Sequence, residues 1–306
     1  MSPRTLVVGS RGSRLAHRQT EIALESLGSA QPETTFEVRT IRTAGDRTKA
    51  SLSEIGGRGV FVIELERSLL SGEIDIAVHS LKDLPAEETL GLAIAAVMLR
   101  QDPRDVLVSR RGAKLDALAH GAIVGTGSPR RAAQLSAMRP DIRIADIRGN
   151  VDTRITKVQT HEYDAVVLAA AGLARLGWLD RASQLFEPEE MLPAPGQGAL
   201  AIQVRADDAD TLAVVLSADH PDTRAAVTAE RAFERRLGGG CHAAIAALAQ
   251  VGDERIRLRG LIADPAGEEL IAGELEGSAV GPDSVGLMLA EQLLERGAAR
   301  LLEATA

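Results

Sequence analysis

Over its first two hundred residues this chain alternates short apolar runs with stretches of helical spacing, and that alternation limits the possible folds more than any other feature. Thr5 to Gly9, Phe36 to Ile41, Ile74 to Val78, Leu92 to Met98, Asp105 to Ser109, Ala122 to Gly125, Ile142 to Ile147, Ala165 to Ala169 and Ala199 to Val204 read as strands. Between them, Leu15 to Leu27 carries apolar residues at helical spacing and runs into Gly28, a candidate C-terminal cap. Val60 to Leu70 repeats the pattern and stops at Gly72, while Ser128-Pro129 has the signature of a helix start, serine as N-cap and proline at the first helical position. Strands separated by helices imply right-handed crossovers and mostly parallel sheets covered on both faces, so the expected class is α/β, doubly wound.

From about residue 220 the pattern changes. Thr223 to Leu237 reads as a helix, Arg255 to Leu261 alternates polar and apolar, Leu270 to Leu275 is positioned to pair with it, and Val285 to Leu294 forms a closing amphipathic helix. These features predict a separate α+β module on an antiparallel sheet. At 306 residues the chain exceeds what a single core normally supports.

Composition excludes several functions. A net charge of −8 opposes general nucleic-acid binding, and four Phe, one Tyr and one Trp are too few for a base-stacking platform. No apolar run spans a bilayer, and nothing at the N-terminus resembles a signal peptide, so the expectation is no membrane partner and a cytoplasmic location. Against an acidic total, arginines concentrated after strands point to a small anionic ligand. Arg11, Arg130, Arg131, Arg148, Arg154 and Arg175 all follow predicted strands. Ligands of doubly wound sheets bind beyond the carboxyl ends of the strands, and arginine's fork matches a carboxylate in two parallel hydrogen bonds. Arg130 and Arg131 oppose the helix dipole unless an anion docks beside them; the alternative is a solvated basic turn.

His79-Ser80-Leu81-Lys82-Asp83-Leu84-Pro85 closes the strand from Ile74. Asp83 is placed for a cleft or, alternatively, caps a turn; His79 reads as structural. Cys241 is the single cysteine and follows Gly238-Gly239-Gly240, a run that lets the backbone turn sharply and present the thiol. The count excludes an internal disulfide and a multi-cysteine zinc site, and no metal is expected. Inert packing is the alternative for the sulfur.

Taken in order, Arg11-Gly12-Ser13, Gly56-Gly57-Arg58-Gly59-Val60-Phe61, His79 to Pro85, Asp102-Pro103-Arg104-Asp105, Val124 to Arg131, Arg148-Gly149-Asn150-Val151, Pro195-Gly196-Gln197-Gly198 and Gly239-Gly240-Cys241 resemble the porphobilinogen deaminase (hydroxymethylbilane synthase) family over nearly the whole chain. The resemblance implies two domains like type II periplasmic binding proteins and a third α+β domain carrying the cysteine, at 1–98 with 198–216, 103–192, and 221–306. It implies a monomeric transferase that condenses four porphobilinogen molecules, losing ammonia each time, and releases hydroxymethylbilane by hydrolysis. It assigns Cys241 a covalent dipyrromethane cofactor through a thioether, and Asp83 the catalytic role of stabilising positive charge as ammonia departs. Ser13, Lys82, Asp83, Thr126, Ser128, Arg130, Arg131 and Arg148 would bind the cofactor, and Arg11, Arg154, Arg175, Phe61 and Gln197 the substrate.

Three positions depart from the family pattern: Arg58 for a common lysine, Pro129 for a leucine, and Ala244 after the cysteine where proline is frequent. The stretch Thr43–Gly59 is expected to act as a lid, and hinges are expected near Leu99–Arg104 and Leu192–Gly198. Two rivals share the residue pattern: a carboxylate-binding receptor or sensor of the same architecture, and a thiol transferase using Cys241 as a transient nucleophile.

Overall fold

The computed structural model describes residues 5–41, 62–238 and 243–303. The chain divides into two compact units, one comprising Met1–Gln101 with Ala199–Arg224 and the other Asp102–Gly198 with Ala225–Ala306.

The first unit is built on β1 (Thr5–Arg11), β2 (Thr35–Ile41), β3 (Ile76–Ser80), β4 (Leu92–Val97) and β10 (Leu200–Arg205), in the order β2-β1-β3-β10-β4. β1, β2 and β3 are parallel, and β10 runs antiparallel to both β3 and β4. Alternation along the strands feeds two cores. Leu6, Val8, Ile76, Val78, Ile202 and Val204 pack with Ala23 and Leu27 of α1 (Arg14–Ala30). On the opposite face Ala77 packs with Leu65 and Leu69 of α2 (Ile63–Leu70). Buried strands with helices on both faces are the doubly wound arrangement.

The second unit repeats that order. β5 (Asp105–Ser109), β6 (Ile123–Gly125), β7 (Arg143–Ala145), β8 (Ala165–Ala169) and β9 (Gln184–Leu185) form the sheet β7-β6-β8-β5-β9. β6 lies parallel to β7 and β8, whereas β5 is antiparallel to β8 and β9. Leu135 of α3 (Pro129–Met138) covers one face; Ile155 and Val158 of α4 (Val151–Gln159) cover the other.

The same unit contains a three-stranded antiparallel meander, β11 (Ala244–Gly252), β12 (Arg255–Ala263) and β13 (Leu270–Ser278). Gly260 and Gly273 pair across β12 and β13, and a Cβ at Gly260 would lie 2.5 Å from the Phe233 ring. Only glycine lets α5 (Pro221–Leu237), which carries Phe233, approach the sheet that closely. The expected class holds: α/β, with two doubly wound sheets and a C-terminal α+β part on an antiparallel sheet.

Both large sheets are mostly parallel, as expected, each with one antiparallel strand, β10 in the first and β5 in the second. The structure corrects other details. α1 continues through Gly28 to Ala30, and the Gln31 backbone N–H, donating to Leu27 O, closes it just before Pro32. β7 is only three residues long. β11 has no alternation to read because Ala244 to Ala249 are all buried. The expected lid at 43–59 lies outside the described residues.

Candidate active site

In the first unit, β1 and β3 are parallel neighbours with Val8 opposite Ile76 and Gly9 opposite Ala77. Their carboxyl ends therefore deliver Arg11–Ser13 and Lys82–Asp83 to the same edge of the sheet. Ser13 caps α1, its Oγ accepting from the Ala16 N–H at 3.2 Å. After Ser80 the chain makes one 3₁₀ turn, Leu81–Asp83, closed by the Leu84 N–H donating to Leu81 O at 3.1 Å. Leu81 and Leu84 are buried on either side, and the Leu81 N–H donates to Ala199 O at 3.1 Å. Gln19 Nε2 donates to Ser80 Oγ at 2.8 Å, tying the turn to α1. Anchors on both flanks thus hold the half-buried Lys82 and Asp83 in place.

His79, 5% exposed, precedes this turn. Burial pushes its pKa down to about 4, and the Arg11 guanidinium adds to that shift, while Asp83 and Gln203 oppose it. A folded-state pKa below the ordinary histidine value means that the unfolded chain binds the extra proton first. The stabilisation is therefore complete above about pH 6.5 and drains away as pH falls toward about 4. The expected loss is about 2 kcal/mol between about pH 7.5 and about pH 5. Urea unfolding at those two pH values should show it, and His79→Gln should flatten the difference; an equal slope in both proteins would disprove the assignment.

In the second unit the expected residues follow β6, β7 and β8. Thr126 is buried and its N–H donates to Ala145 O at 3.0 Å. The Ser128 N–H donates to Thr126 Oγ1 at 3.2 Å, and Ser128 Oγ accepts from the Arg131 N–H at 3.4 Å, so serine caps α3 and Pro129 opens it as expected. Gly127 sits against the loop after β7. A Cβ there would lie 2.9 Å from Asp146 Oδ1 and 3.7 Å from Arg148 Nη1, so the absent side chain is what lets the two loops meet. Arg148 Nε donates to Asp146 Oδ2 at 3.0 Å, with both side chains partly exposed. Arg154 Nε donates to Gly149 O at 2.8 Å.

Arg130 and Arg131 differ from the first expectation for them. Instead of projecting from the helix start toward an outside anion, both guanidiniums turn onto Asp105, which is completely buried. Arg130 Nη1 donates to Asp105 Oδ2 at 2.7 Å and to Leu192 O at 2.7 Å. Arg131 donates to Asp105 Oδ1 from Nε at 3.0 Å and from Nη2 at 2.6 Å, and to Val167 O from Nη1 at 3.0 Å. Burial alone would raise the Asp105 pKa; the two arginines outweigh it and hold the carboxyl well below the usual range.

Arg175 and Gln197 are likewise buried. Arg175 Nη2 donates to Gly198 O at 2.7 Å, and Gln197 Nε2 donates to Pro103 O at 2.7 Å and to Asp105 Oδ1 at 2.9 Å. These bonds fasten the return segment to β5. Phe61, Arg58 and Cys241 lie outside the described residues. Among the described residues no group of three or more His, Cys, Asp and Glu could hold a metal ion, and no helix is long and apolar enough to cross a membrane.

Sequence reasoning gave Asp105 no role beyond its motif. Its signal was a lone carboxylate opening an otherwise apolar strand, Val106-Leu107-Val108. A group carrying carboxylate side chains suits the residues of each unit taken by itself: Ser13 and Lys82 at one strand edge of the first, and the Gly127 cradle beside the Arg148 guanidinium in the second.

Two lobes of this topology, with cations and hydroxyls at the ends of their parallel strands, define an α/β protein of the doubly wound class. The profile for the porphobilinogen deaminase dipyromethane cofactor binding domain matches residues 6–213, and that for the porphobilinogen deaminase C-terminal domain matches residues 224–295. A porphobilinogen deaminase from Pelotomaculum thermopropionicum is 48% identical over 98% of this chain and 96% of its own length. One from Thermus thermophilus is 48% identical over 98% of each, and one from Bacillus subtilis 44% identical over 98% of this chain and 96% of its own. A Bacillus subtilis structure described as a probable amino-acid ABC transporter extracellular-binding protein superposes with a TM-score of 0.43 at 12% identity, covering 71% of this chain and 90% of that one. The chain belongs to the porphobilinogen deaminase family.

Proposed function

We propose that this chain is a transferase that condenses four porphobilinogen molecules into the linear tetrapyrrole hydroxymethylbilane, releasing ammonia at each addition and freeing the product by hydrolysis. The observation that carries this reading is the family match along almost the entire chain, in both its long N-terminal part and its C-terminal part. A receptor for carboxylates would leave the C-terminal match without a task.

The dipyrromethane cofactor, held through Cys241, supplies the pyrrole end to which new units are joined. Around it, Ser13, Lys82, Thr126, Ser128 and Arg148 are assigned to its acetate and propionate groups, and Arg11, Arg154, Arg175, Phe61 and Gln197 to those of the incoming substrate. Every pyrrole brings two carboxylates, so the cleft has to offer many cations at once. Isolated exposed pairs contribute only about 0–1 kcal/mol each, whereas clustered and desolvated contacts hold a polyanion firmly. The same assignment covers Arg130 and Arg131, whose guanidiniums also pair with the buried Asp105.

Asp83 has the catalytic assignment. When the substrate's aminomethyl C–N bond breaks and ammonia leaves, positive charge develops on the pyrrole. A carboxylate fixed by the Leu81–Leu84 turn meets that charge without having to reorganise. Three domains are proposed at 1–98 with 198–216, 103–192 and 221–306, in a monomer that works in the cytoplasm without nucleic acid.

Intact-protein mass tests the reading. The purified protein should be heavier than its polypeptide by two pyrrole units and give a pink-to-orange Ehrlich colour, while Cys241→Ala should have the bare polypeptide mass and no turnover. A native chain of bare mass would favour the receptor, and a substrate-dependent transient adduct the thiol nucleophile.

A further inference from the structure

Among the described residues of the second unit, three ion pairs join an arginine to the aspartate two residues away, and one is built differently from the others. Asp102 takes the side edge of Arg104, Nε at 3.0 Å and Nη2 at 2.7 Å, and Glu187 accepts from Nη1. Asp141 takes Arg139 in the same way, Nε at 2.6 Å and Nη2 at 2.7 Å, while the Leu115 and Leu118 carbonyls accept from Nη1 and Nη2. The end of each of those forks is occupied. Arg148 has a single bond, from Nε to Asp146 Oδ2 at 3.0 Å, and neither Nη atom has a partner among the described residues.

The loop that carries this pair is fixed on both sides. Tyr163 OH donates to Asp146 O at 2.6 Å, and a Cβ at Gly125 of β6 would lie 2.9 Å from the Tyr163 ring, so glycine lets the ring tuck against the strand. Ile147 is buried in the core beside α4, which turns Asp146 and Arg148 on either side of it outward. Beyond Arg148, Gly149 O accepts from Arg154 Nε at 2.8 Å. With the backbone anchored, the freedom left to Arg148 lies in its own side chain, and Asp146 limits that freedom. A guanidinium can meet a carboxylate along its side edge, Nε with Nη2, or along its end edge, Nη1 with Nη2. Asp146 uses part of the first and leaves the second, with Nη1 beside the start of α3: a Cβ at Gly127 would lie 3.7 Å from it.

We propose that Asp146 is a positioning residue for Arg148: its carboxylate holds Nε so that the end edge of the guanidinium is presented, already oriented, to one carboxylate of the bound pyrrole chain. A long side chain pinned in advance by a neighbour loses less freedom when it takes its ligand. The geometry speaks against the opposite role, that of a built-in competitor. An aspartate standing in for the ligand would occupy the end edge, or both donors of the side edge as Asp102 and Asp141 do. Removing a competitor would strengthen the site by taking a negative charge from it, whereas removing a positioning group weakens it. The inference deepens the functional reading above and rests on it for the link to turnover.

The experiment compares native holoprotein with Asp146→Ala, Asp146→Asn, Arg148→Lys and the combination of Asp146→Ala with Arg148→Lys. Rates are referred to the folded, adduct-bearing fraction of each, from thermal melts and intact mass. Asp146→Ala should lower kcat about threefold to tenfold with KM within about twofold, the mark of a group still tethered but misoriented. Asparagine keeps an accepting oxygen, so Asp146→Asn should stay within about twofold of native. Because Asp146 acts through Arg148, adding Asp146→Ala to Arg148→Lys should change kcat by less than about twofold. In substrate-free protein labelled with nitrogen-15 in its arginines, the Arg148 Nε–H signal is identified by its loss in Arg148→Lys. It should exchange with water about tenfold faster in Asp146→Ala than in the native or Asp146→Asn protein. A kcat at or above the native value in Asp146→Ala overturns the proposal, and so does an equal loss in Asp146→Asn. A full further loss in the double variant, or unchanged exchange in Asp146→Ala, overturns it as well. If the native protein does not turn over porphobilinogen, the functional reading fails, and the exchange comparison alone then decides whether Asp146 holds Arg148.

Discussion

Asp83→Asn is expected to lower turnover of porphobilinogen by about a hundredfold to a thousandfold or more while leaving the protein folded. The substitution keeps the size of the side chain and removes its charge. A group that stabilises charge developing in a desolvated transition state is worth that much when lost, because no water is positioned to replace it. Stability should barely change. Asp83 is half-buried, and its turn is held by backbone hydrogen bonds and by Leu81 and Leu84, none of which involves the carboxylate. Single-turnover release of ammonia, measured with a thermal melt of the same sample, separates the two effects. A variant releasing ammonia within a few-fold of the native rate would strip Asp83 of its catalytic assignment.

The second large effect concerns folding. Asp105→Asn should destabilise the protein by about 3–5 kcal/mol, the range for removing one partner of a buried ion pair. The cost arises from what remains: two buried guanidiniums, Arg130 and Arg131, facing an amide that can accept through one oxygen only and presents its NH₂ to a cation. Gln197 would lose an acceptor at the same time. Because all of these groups share one carboxylate, the losses should not add. Asp105→Asn combined with Arg130→Met should cost less than the sum of the two single changes, since the second substitution removes a charge the first left stranded. Urea unfolding of the four proteins provides the cycle. An Asp105→Asn loss below about 1 kcal/mol would mean that the carboxylate does not hold the α3 start to β5.

The contrast between these two aspartates shows what the sequence could and could not convey. Asp83 was legible because it sits in a recognisable motif at a strand end, where doubly wound sheets bind ligands. Asp105 was not, because its partners come from residues 130, 131 and 197, and no local pattern announces a pairing over such distances. The arginines were read as cations for an external anion because dipole arguments see a helix end and not the buried acid beneath it. Helix and strand identity was clear where periodicity was strong, as in α1 and β12. It failed where burial erased the alternation, as in β11, while at β7 the expected strand is present but only three residues long. The antiparallel entries of β5 and β10 also left no trace, since strand direction follows from where the chain re-enters a sheet and not from the composition of the strand.

The position of β10 has a further consequence, for the timing of biosynthesis. It occupies the slot between β3 and β4, yet it leaves the ribosome only after every strand of the second lobe. Until then β4 has no hydrogen-bonding neighbour, and the N-terminal lobe exposes two unpaired strand edges to the cell. The sheet β5 to β9, by contrast, lies in one uninterrupted stretch from Asp105 to Leu185 and is complete as soon as that stretch emerges. In this protein the usual order of co-translational folding is therefore reversed: the lobe begun first is the one that has to wait.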